Sequence, residues 1–135
     1  CEDRQADADQ ALQLGIAIGD TLFYSQIVHY ENNVPVQIED RFVNPETAPD
    51  YLRQVLNKQT PYTYLMDIAP LTAGEHRVEA ISASDEQRHL LQLEEHEPCL
   101  LIHRRTWSGS RVVTSARLIY PGSRYQLFGR FTSHG

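Results

Sequence analysis

Hydrophobic and polar residues alternate along two neighbouring stretches of the chain, separated by the pair Asn32-Asn33. The first stretch covers Thr21 to Tyr30 and the second Pro35 to Val43, and both are rich in β-branched and aromatic residues. Alternation with a period of two is typical of half-buried strands, and two asparagines between such strands favour a turn. The pattern predicts a β-hairpin over residues 21–43.

The length of the turn decides which side chains of the two strands share a face. With a two-residue turn, Ile27 would lie opposite Ile38, and both faces would mix polar and apolar residues. A three-residue turn at Asn32–Val34, with Asn33 in the left-handed conformation, puts the polar residues on one face and the apolar residues on the other. The exceptions are Gln26 and Asp40, which fall on the apolar face. We therefore predict the three-residue turn and a polar face that carries Ser25, Ile27, His29, Gln37, Glu39 and Arg41.

The remaining chain alternates in the same way over further stretches, with helical signals between them. Strands are predicted at His76–Ala83, Cys99–Trp107, Arg111–Tyr120 and, as a short last strand, Tyr125–Phe131. Helices are predicted from Asp9 to Leu14, after Asp50, after Thr60-Pro61, and after Ser84, which forms a capping box with Gln87. Strands that are close in sequence pair antiparallel, so the predicted class is α+β, a mainly antiparallel sheet flanked by helices.

Composition narrows the classes of function. The chain has 135 residues, enough for one domain, and a net charge of −6, which disfavours duplex DNA as a direct partner of this chain. No run approaches the roughly 20 apolar residues of a membrane span, so no membrane partner is expected. The polar start without Met is interpreted as the beginning of a fragment. Two cysteines, Cys1 in a frayed terminus and Cys99 in an apolar run, fit a reducing cytoplasm.

Few residues outside the hairpin suggest chemistry. Arg104 and Arg105 are consecutive in a strand and must point to opposite faces. An arginine in mid-sheet needs a carboxylate, either internal (Glu39 or Asp40) or on a ligand, unless it lies at an edge. Thr114 and Tyr120 share a face of the next strand. The six histidines lack metal-ligand spacing, and no phosphate loop or nucleophile elbow is present, so neither a metal nor a cofactor is expected.

Three stretches resemble the UTRA domain, the effector-binding C-terminal half of the HutC/FarR branch of GntR-type bacterial repressors. They are LGIAIGDTLFYSQIVHYENNVPVQIEDRFVNP, TPYTYL and LLIHRRTWSGSRVVTSARLIYPGSRYQL. The resemblance covers nearly the whole chain. It implies a fold like chorismate lyase, a homodimer, a small-molecule effector, and operator binding through an N-terminal winged helix that this chain does not include.

The resemblance also implies a set of effector contacts. Carried over position by position, they fall on Glu39, Thr60, Tyr62, Arg104, Thr114 and Tyr120. In the members of the family that bind sugar phosphates, two arginines occupy the positions of Ile27 and His29, and a Glu that binds sugar hydroxyls occupies the position of Thr114. These differences disfavour a phosphosugar as the effector. The chain particularly resembles the members that control histidine catabolism, and this resemblance implies the imidazole carboxylate urocanate as the inducer.

For such a flat effector, Glu39 would accept the ring N–H, Arg104 or Arg41 would pair the acid, and Tyr62 or Tyr120 would stack on the ring. The candidate effector site is therefore His29, Glu39, Arg41, Thr60, Tyr62, Arg104, Thr114 and Tyr120, in which Arg41 comes from strand alternation alone. Three functions stay open: a sensor of urocanate or another metabolite, a chorismate lyase-like enzyme with Glu39 as acid or base, and a dimerisation module with a merely solvated polar face.

Overall fold

The described part of the chain is built on one antiparallel sheet of six strands. The computed structural model describes residues 2–52, 72–130 and 132. The strands are β1 (Glu2–Gln5), β2 (Thr21–Glu31), β3 (Val34–Val43), β4 (Ala73–Ser82), β5 (Pro98–Ser108) and β6 (Arg111–Pro121). Their order across the sheet is β1-β2-β3-β6-β5-β4. Two described helices, α1 (Ala8–Leu14) and α2 (Asp85–Leu91), complete this part, and the predicted α+β class is confirmed.

The first hairpin has the predicted register but reaches it differently. Its turn has two residues, Asn32 and Asn33, both with positive φ (51° and 65°), so the three-residue turn predicted from the sequence is wrong. Paired asparagines tolerate the left-handed conformation that a two-residue hairpin turn requires. A bulge then places one extra residue, Val36, between the pairs Tyr30↔Pro35 and His29↔Gln37. The bulge restores the parity that the longer turn was expected to supply.

Capping residues set the limits of both helices. Asp7, rather than the predicted Asp9, caps α1 in a reciprocal box with Gln10, and Gly15 ends the helix in the left-handed conformation. Ser84 and Gln87 form the predicted box at the start of α2. Asp50 precedes a helical start at Tyr51, and the rest of that predicted helix and the one after Thr60 lie outside the described residues. In the described part, no helix is long and apolar enough to cross a membrane.

The two ends of the chain differ from the sequence prediction. Glu2–Gln5 forms β1 along the outer edge of β2, although all four side chains are exposed and gave no alternating pattern. The final strand predicted from Tyr125 is not formed over residues 125–130. Both edges of β6 are already occupied by β3 and β5, so a following segment has no free edge beside it. Arg124 instead donates to the main-chain oxygens of Pro35, Leu91 and Gln92.

The two faces of the sheet have different roles, and we name them the helical face and the site face. On the helical face, α1 packs with Leu22, Tyr24 and Phe42, and α2 packs with Ile38, Leu101 and Ile119. The predicted polar exceptions on that face satisfy each other, because Asp40 accepts hydrogen bonds from Tyr24 (2.7 Å) and Gln26 (3.0 Å). The opposite, site face carries His29, Glu39 and Arg41, as the parity of the hairpin predicted.

Candidate functional site

The strand register arranges the site face as rows of side chains that run across the sheet. One row is Ser25, Arg41, Ala116, Arg104 and His76, and the next is Ile27, Glu39, Leu118, Ile102 and Val78. Neighbouring strands lie about 4.8 Å apart, so Arg41 and Arg104 have Cα atoms about 10 Å from each other with Ala116 between them. Ala116, Leu118 and Ile102 are buried and form an apolar floor between two polar groups.

Glu39 is the centre of the first polar group. Its carboxylate accepts from His29 Nε2 at 3.3 Å and from Arg41 Nε at 3.2 Å. Glu39 is 6% exposed and Arg41 8% exposed, whereas the His29 side chain is 38% exposed. The cluster therefore lies on the inner part of the site face, and His29 forms its solvent side.

The charge of Glu39 follows from these neighbours. Burial alone would raise the pKa of its carboxyl, but the hydrogen bond from His29 and the charge and hydrogen bond of Arg41 lower that pKa to about 2. A carboxylate that stays ionised at neutral pH can only accept hydrogen bonds. It is consequently suited to hold a ligand N–H and is a poor general acid or base, which disfavours the enzyme hypothesis.

Two threonines fix the other end of Arg41. Arg41 Nη1 donates to Thr114 Oγ1 at 3.3 Å, and the hydroxyls of Thr114 and Thr106 are hydrogen-bonded at 2.9 Å. Thr114 is fully buried and Thr106 is 8% exposed. Since Arg41 is held by Glu39 on one side and by Thr114 on the other, its charge is neutralised within the protein.

Arg104 and His76 form the second polar group, on the far side of the apolar floor. Arg104 Nε donates to His76 Nε2 at 2.8 Å, so His76 acts as a neutral acceptor. Burial and the charge of Arg104 lower the pKa of His76. Within the part of the chain that the structure describes, the terminal nitrogens of Arg104 have no hydrogen bond and no carboxylate. Arg104 is therefore a cation on the site face without an acidic partner among those residues.

Tyr120 lies between the two groups. Its hydroxyl accepts from Gln37 Nε2 at 3.0 Å, and its ring stacks on Tyr125 with centroids 3.8 Å apart. Burial raises the pKa of Tyr120, Tyr125 and Glu39 add to this, and Arg104 opposes it. The hydroxyl is thus within electrostatic reach of both the anion and the cation of the site face.

The structure places every candidate residue that it describes on one face of the sheet, in two separate polar groups with Tyr120 between them. His29, Glu39, Arg41, Arg104, Thr114 and Tyr120 share the site face, while Thr60 and Tyr62 lie outside the described residues. Neither Glu39 nor Asp40, the suggested internal partners, binds Arg104 or Arg105. Arg105 binds Glu75 at 3.2 Å on the helical face, and Arg104 binds His76. Both partners are on β4, and the sequence did not show that β4 is the neighbour of β5.

Sequence reasoning also missed contributors to the site. Ser25 was placed on the polar face, but its buried hydrogen bond to the Tyr51 hydroxyl at 2.7 Å was not foreseen. Burial raises the pKa of Tyr51 to about 12, so this hydroxyl stays protonated. Thr106 was missed because a register shift between Thr106 and Trp107 pairs it with Thr114, whereas the two-residue turn at Gly109-Ser110 alone would pair Thr106 with Val113.

Comparison with known proteins identifies the family. Residues 1–126 match the UTRA domain. The chain belongs to the UTRA domain family. This UTRA domain is 61% identical over 127 residues to the histidine utilization repressor of Pseudomonas putida, and the match covers 94% of this chain and 51% of that protein. It is 55% identical over 132 residues to the histidine utilization repressor of Klebsiella aerogenes, covering 98% and 55% of the two chains.

Solved structures agree with the assignment. The C-terminal domain of the histidine utilization repressor from Pseudomonas syringae pv. tomato str. DC3000 superimposes with a TM-score of 0.92 at 57% identity, covering 98% of this UTRA domain and 94% of that chain. A GntR-family transcriptional regulator from Bacillus cereus shares the fold with a TM-score of 0.86 at 16% identity, covering 97% and 93%. The UTRA domain spans about half the length of the two repressors matched in sequence.

Proposed function

We propose that this UTRA domain is the effector sensor of a dimeric transcriptional repressor of histidine utilisation, and that its site face binds urocanate or a related imidazole carboxylate. Two findings support the proposal: sequence identity of 55–61% with proteins named histidine utilization repressor, and a site face that pairs an ionised carboxylate with a separate cation. The second finding carries the choice of ligand.

The imidazole end of the effector is assigned to Glu39. The ring N–H of urocanate is a donor, and the ionised Glu39 carboxylate has acceptor sites beyond those used by His29 and Arg41. His29 is half-exposed beside Glu39, and its imidazole offers a flat surface to a second aromatic ring. This end of the site therefore recognises a planar N–H donor.

The acid end of the effector is assigned to Arg104. The guanidinium of Arg41 is already compensated by Glu39 and Thr114, whereas Arg104 meets a neutral imidazole and keeps its forked end for another acceptor. A conjugated chain between ring and acid would lie over Leu118 and Ala116, which offer apolar contact and no hydrogen bond. The polarity of the effector, with a donor at one end and an acid at the other, matches this arrangement.

A phosphosugar fits the same face poorly. A phosphate needs several cationic or main-chain donors together, while Ile27 is apolar and His29 is committed to Glu39. Sugar hydroxyls need paired donors and acceptors, but the floor of the site is formed by alkyl groups. The residues that depart from the sugar-binding pattern of the family therefore support an imidazole carboxylate instead.

Binding would act on DNA through the protein outside this chain. We place the protein in the cytoplasm as a homodimer, with operator DNA held by the missing N-terminal domains. An effector that binds one arrangement of the dimer more tightly than the other shifts the population towards that arrangement. A coupling free energy of 1–3 kcal/mol would weaken operator binding by about 5–150-fold.

This coupling is testable with the full-length protein. Urocanate is expected to raise the dissociation constant for a fluorescently labelled operator by about 5–150-fold, measured by anisotropy at fixed salt. The same protein with Arg104→Met should respond only at much higher urocanate concentration. If urocanate leaves operator affinity unchanged while binding the isolated domain, the domain is a binding module without the proposed control of DNA.

A further inference from the structure

Strand β4 is an edge of the sheet, and no other described residue pairs with its outer side. It runs for ten residues, Ala73–Ser82, pairs with β5 without a register shift, and is exposed along nearly its whole length on both faces. Only Ile81 is half-buried. A long edge strand without proline or a bulge offers a row of unpaired main-chain groups to another strand. The opposite edge differs, because β1 has only four residues, EDRQ, of which three are charged.

We propose that two copies of this chain pair through β4, antiparallel about a twofold axis at Val78, so that the two sheets join into one of twelve strands. The inference deepens the homodimer of the proposed function by naming its surface, and it does not depend on the identity of the effector. A ladder of nine residues on each strand would supply about eight to ten main-chain hydrogen bonds.

Geometry restricts the possible registers. In an antiparallel ladder, two facing residues either both point their main-chain N–H and C=O groups towards the partner strand or both point them away. Consecutive residues of one strand alternate in this respect, so a residue cannot face its own neighbour in the other copy. The twofold axis must therefore pass through a residue that faces its own copy. An axis at Arg77 would place Arg77 opposite its own copy and Glu75 opposite Glu79. An axis at Glu79 would oppose two glutamates. Like charges in directly facing positions are destabilising.

An axis at Val78 gives complementary charges. Arg77 of each copy then faces Glu79 of the other, on the helical face, and the paired segment extends from Gly74 to Ser82. An axis at His76 would also pair opposite charges, through Glu75 and Arg77, but its ladder is shorter. Glu75 is moreover already bound by Arg105 at 3.2 Å.

The side chains involved are available for this contact. Arg77 is exposed and has no hydrogen bond or ion pair among the described residues. The Glu79 side chain is 51% exposed and accepts a single hydrogen bond, from His103 at 3.2 Å. Val78 is 41% exposed on the site face, where the pairing would bring it against its own copy. The axis therefore combines an apolar contact on one face with two ion pairs on the other.

A charge exchange tests the pairing. Arg77→Glu or Glu79→Arg alone would place like charges opposite each other twice per dimer, and each is expected to raise the dimer dissociation constant about tenfold or more. The double variant R77E/E79R restores opposite charges and should return to within about threefold of the unmodified chain. The measurement is sedimentation equilibrium over a concentration series, with Arg111→Glu, an exposed arginine at the distant end of β6, as the matched control.

Three results would overturn the pairing: a monomeric unmodified chain, single variants that dimerise like the control, or a double variant that stays as weak as the singles. Urocanate titrations of the single variants test the assignment of the effector independently of the dimer contact. Since neither residue lies on the site face, variants that become monomeric should still bind urocanate if the effector assignment holds.

Discussion

Replacing Glu39 by Gln is expected to lower the free energy of unfolding at pH 7 by about 3 kcal/mol. The pKa of the Glu39 carboxyl falls from an ordinary 4.5 to about 2 in the folded chain, and each pKa unit corresponds to 1.36 kcal/mol. The buried Arg41 also loses its counter-charge, and breaking a buried pair costs a similar amount. Urea unfolding of both chains at pH 7 measures the difference.

The pH dependence of this difference has a definite sign. A carboxyl whose pKa is lowered by folding stabilises the folded state above its unfolded pKa, and this stabilisation is lost as the pH falls from about 4.5 towards 2. The stability advantage of the unmodified chain over Glu39→Gln should therefore shrink across that range. Glu75→Gln is the control, because Glu75 pairs with Arg105 at the same 3.2 Å but is 54% exposed. We expect it to cost less than about 1 kcal/mol, and equal costs for both variants would contradict the burial argument.

Replacing Arg104 by Met is expected to raise the dissociation constant of urocanate by about 10–150-fold. The substitution keeps an aliphatic side chain and removes the charged donor, and a hydrogen bond to a charged group contributes about 1.5–3 kcal/mol. The methyl ester of urocanate has no carboxylate, so its affinity should change little with the same substitution. Calorimetric titration of both ligands into both chains gives the four values needed.

Arg105→Met provides the matched control for Arg104→Met. Arg105 is the next residue of the same strand, but it points to the helical face and pairs with Glu75. We expect it to change urocanate affinity by less than about twofold, since it lies on the other side of the sheet. Equal losses in the two variants would indicate a general effect on the strand, and an unchanged affinity in Arg104→Met would assign the acid to another residue.

In the first hairpin, the alternation of polar and apolar residues predicts the strand register but not the type of turn. The requirement that polar and apolar residues separate selected the register that pairs Ile27 with Glu39, and that register is confirmed. The same requirement could not distinguish a three-residue turn from a two-residue turn with a bulge, because both shift the pairing by one residue. The bulge residue, Val36, lies within β3 and is a β-branched residue like others of that strand, so composition does not reveal the bulge.

The site was predictable along single hairpins and not between them. His29, Glu39 and Arg41 follow from one hairpin, so parity alone brings them together. The pairing of Arg104 with His76 depends on β4 lying beside β5, a contact between segments joined through α2. Strand β1 escaped prediction for a different reason: its stability comes from main-chain pairing with β2, and its exposed side chains carry no hydrophobic pattern.

The choice of effector is tested most directly by calorimetry with the unmodified 135-residue chain. Urocanate is expected to bind with one site per chain and more tightly than histidine, because the ammonium group and tetrahedral carbon of histidine add a positive charge near Arg104 and break the planarity of the ligand. Glucosamine 6-phosphate is expected to give no binding heat. Tight binding of the phosphosugar together with no binding of urocanate would contradict the assignment of Glu39 to an imidazole and of Arg104 to a carboxylate.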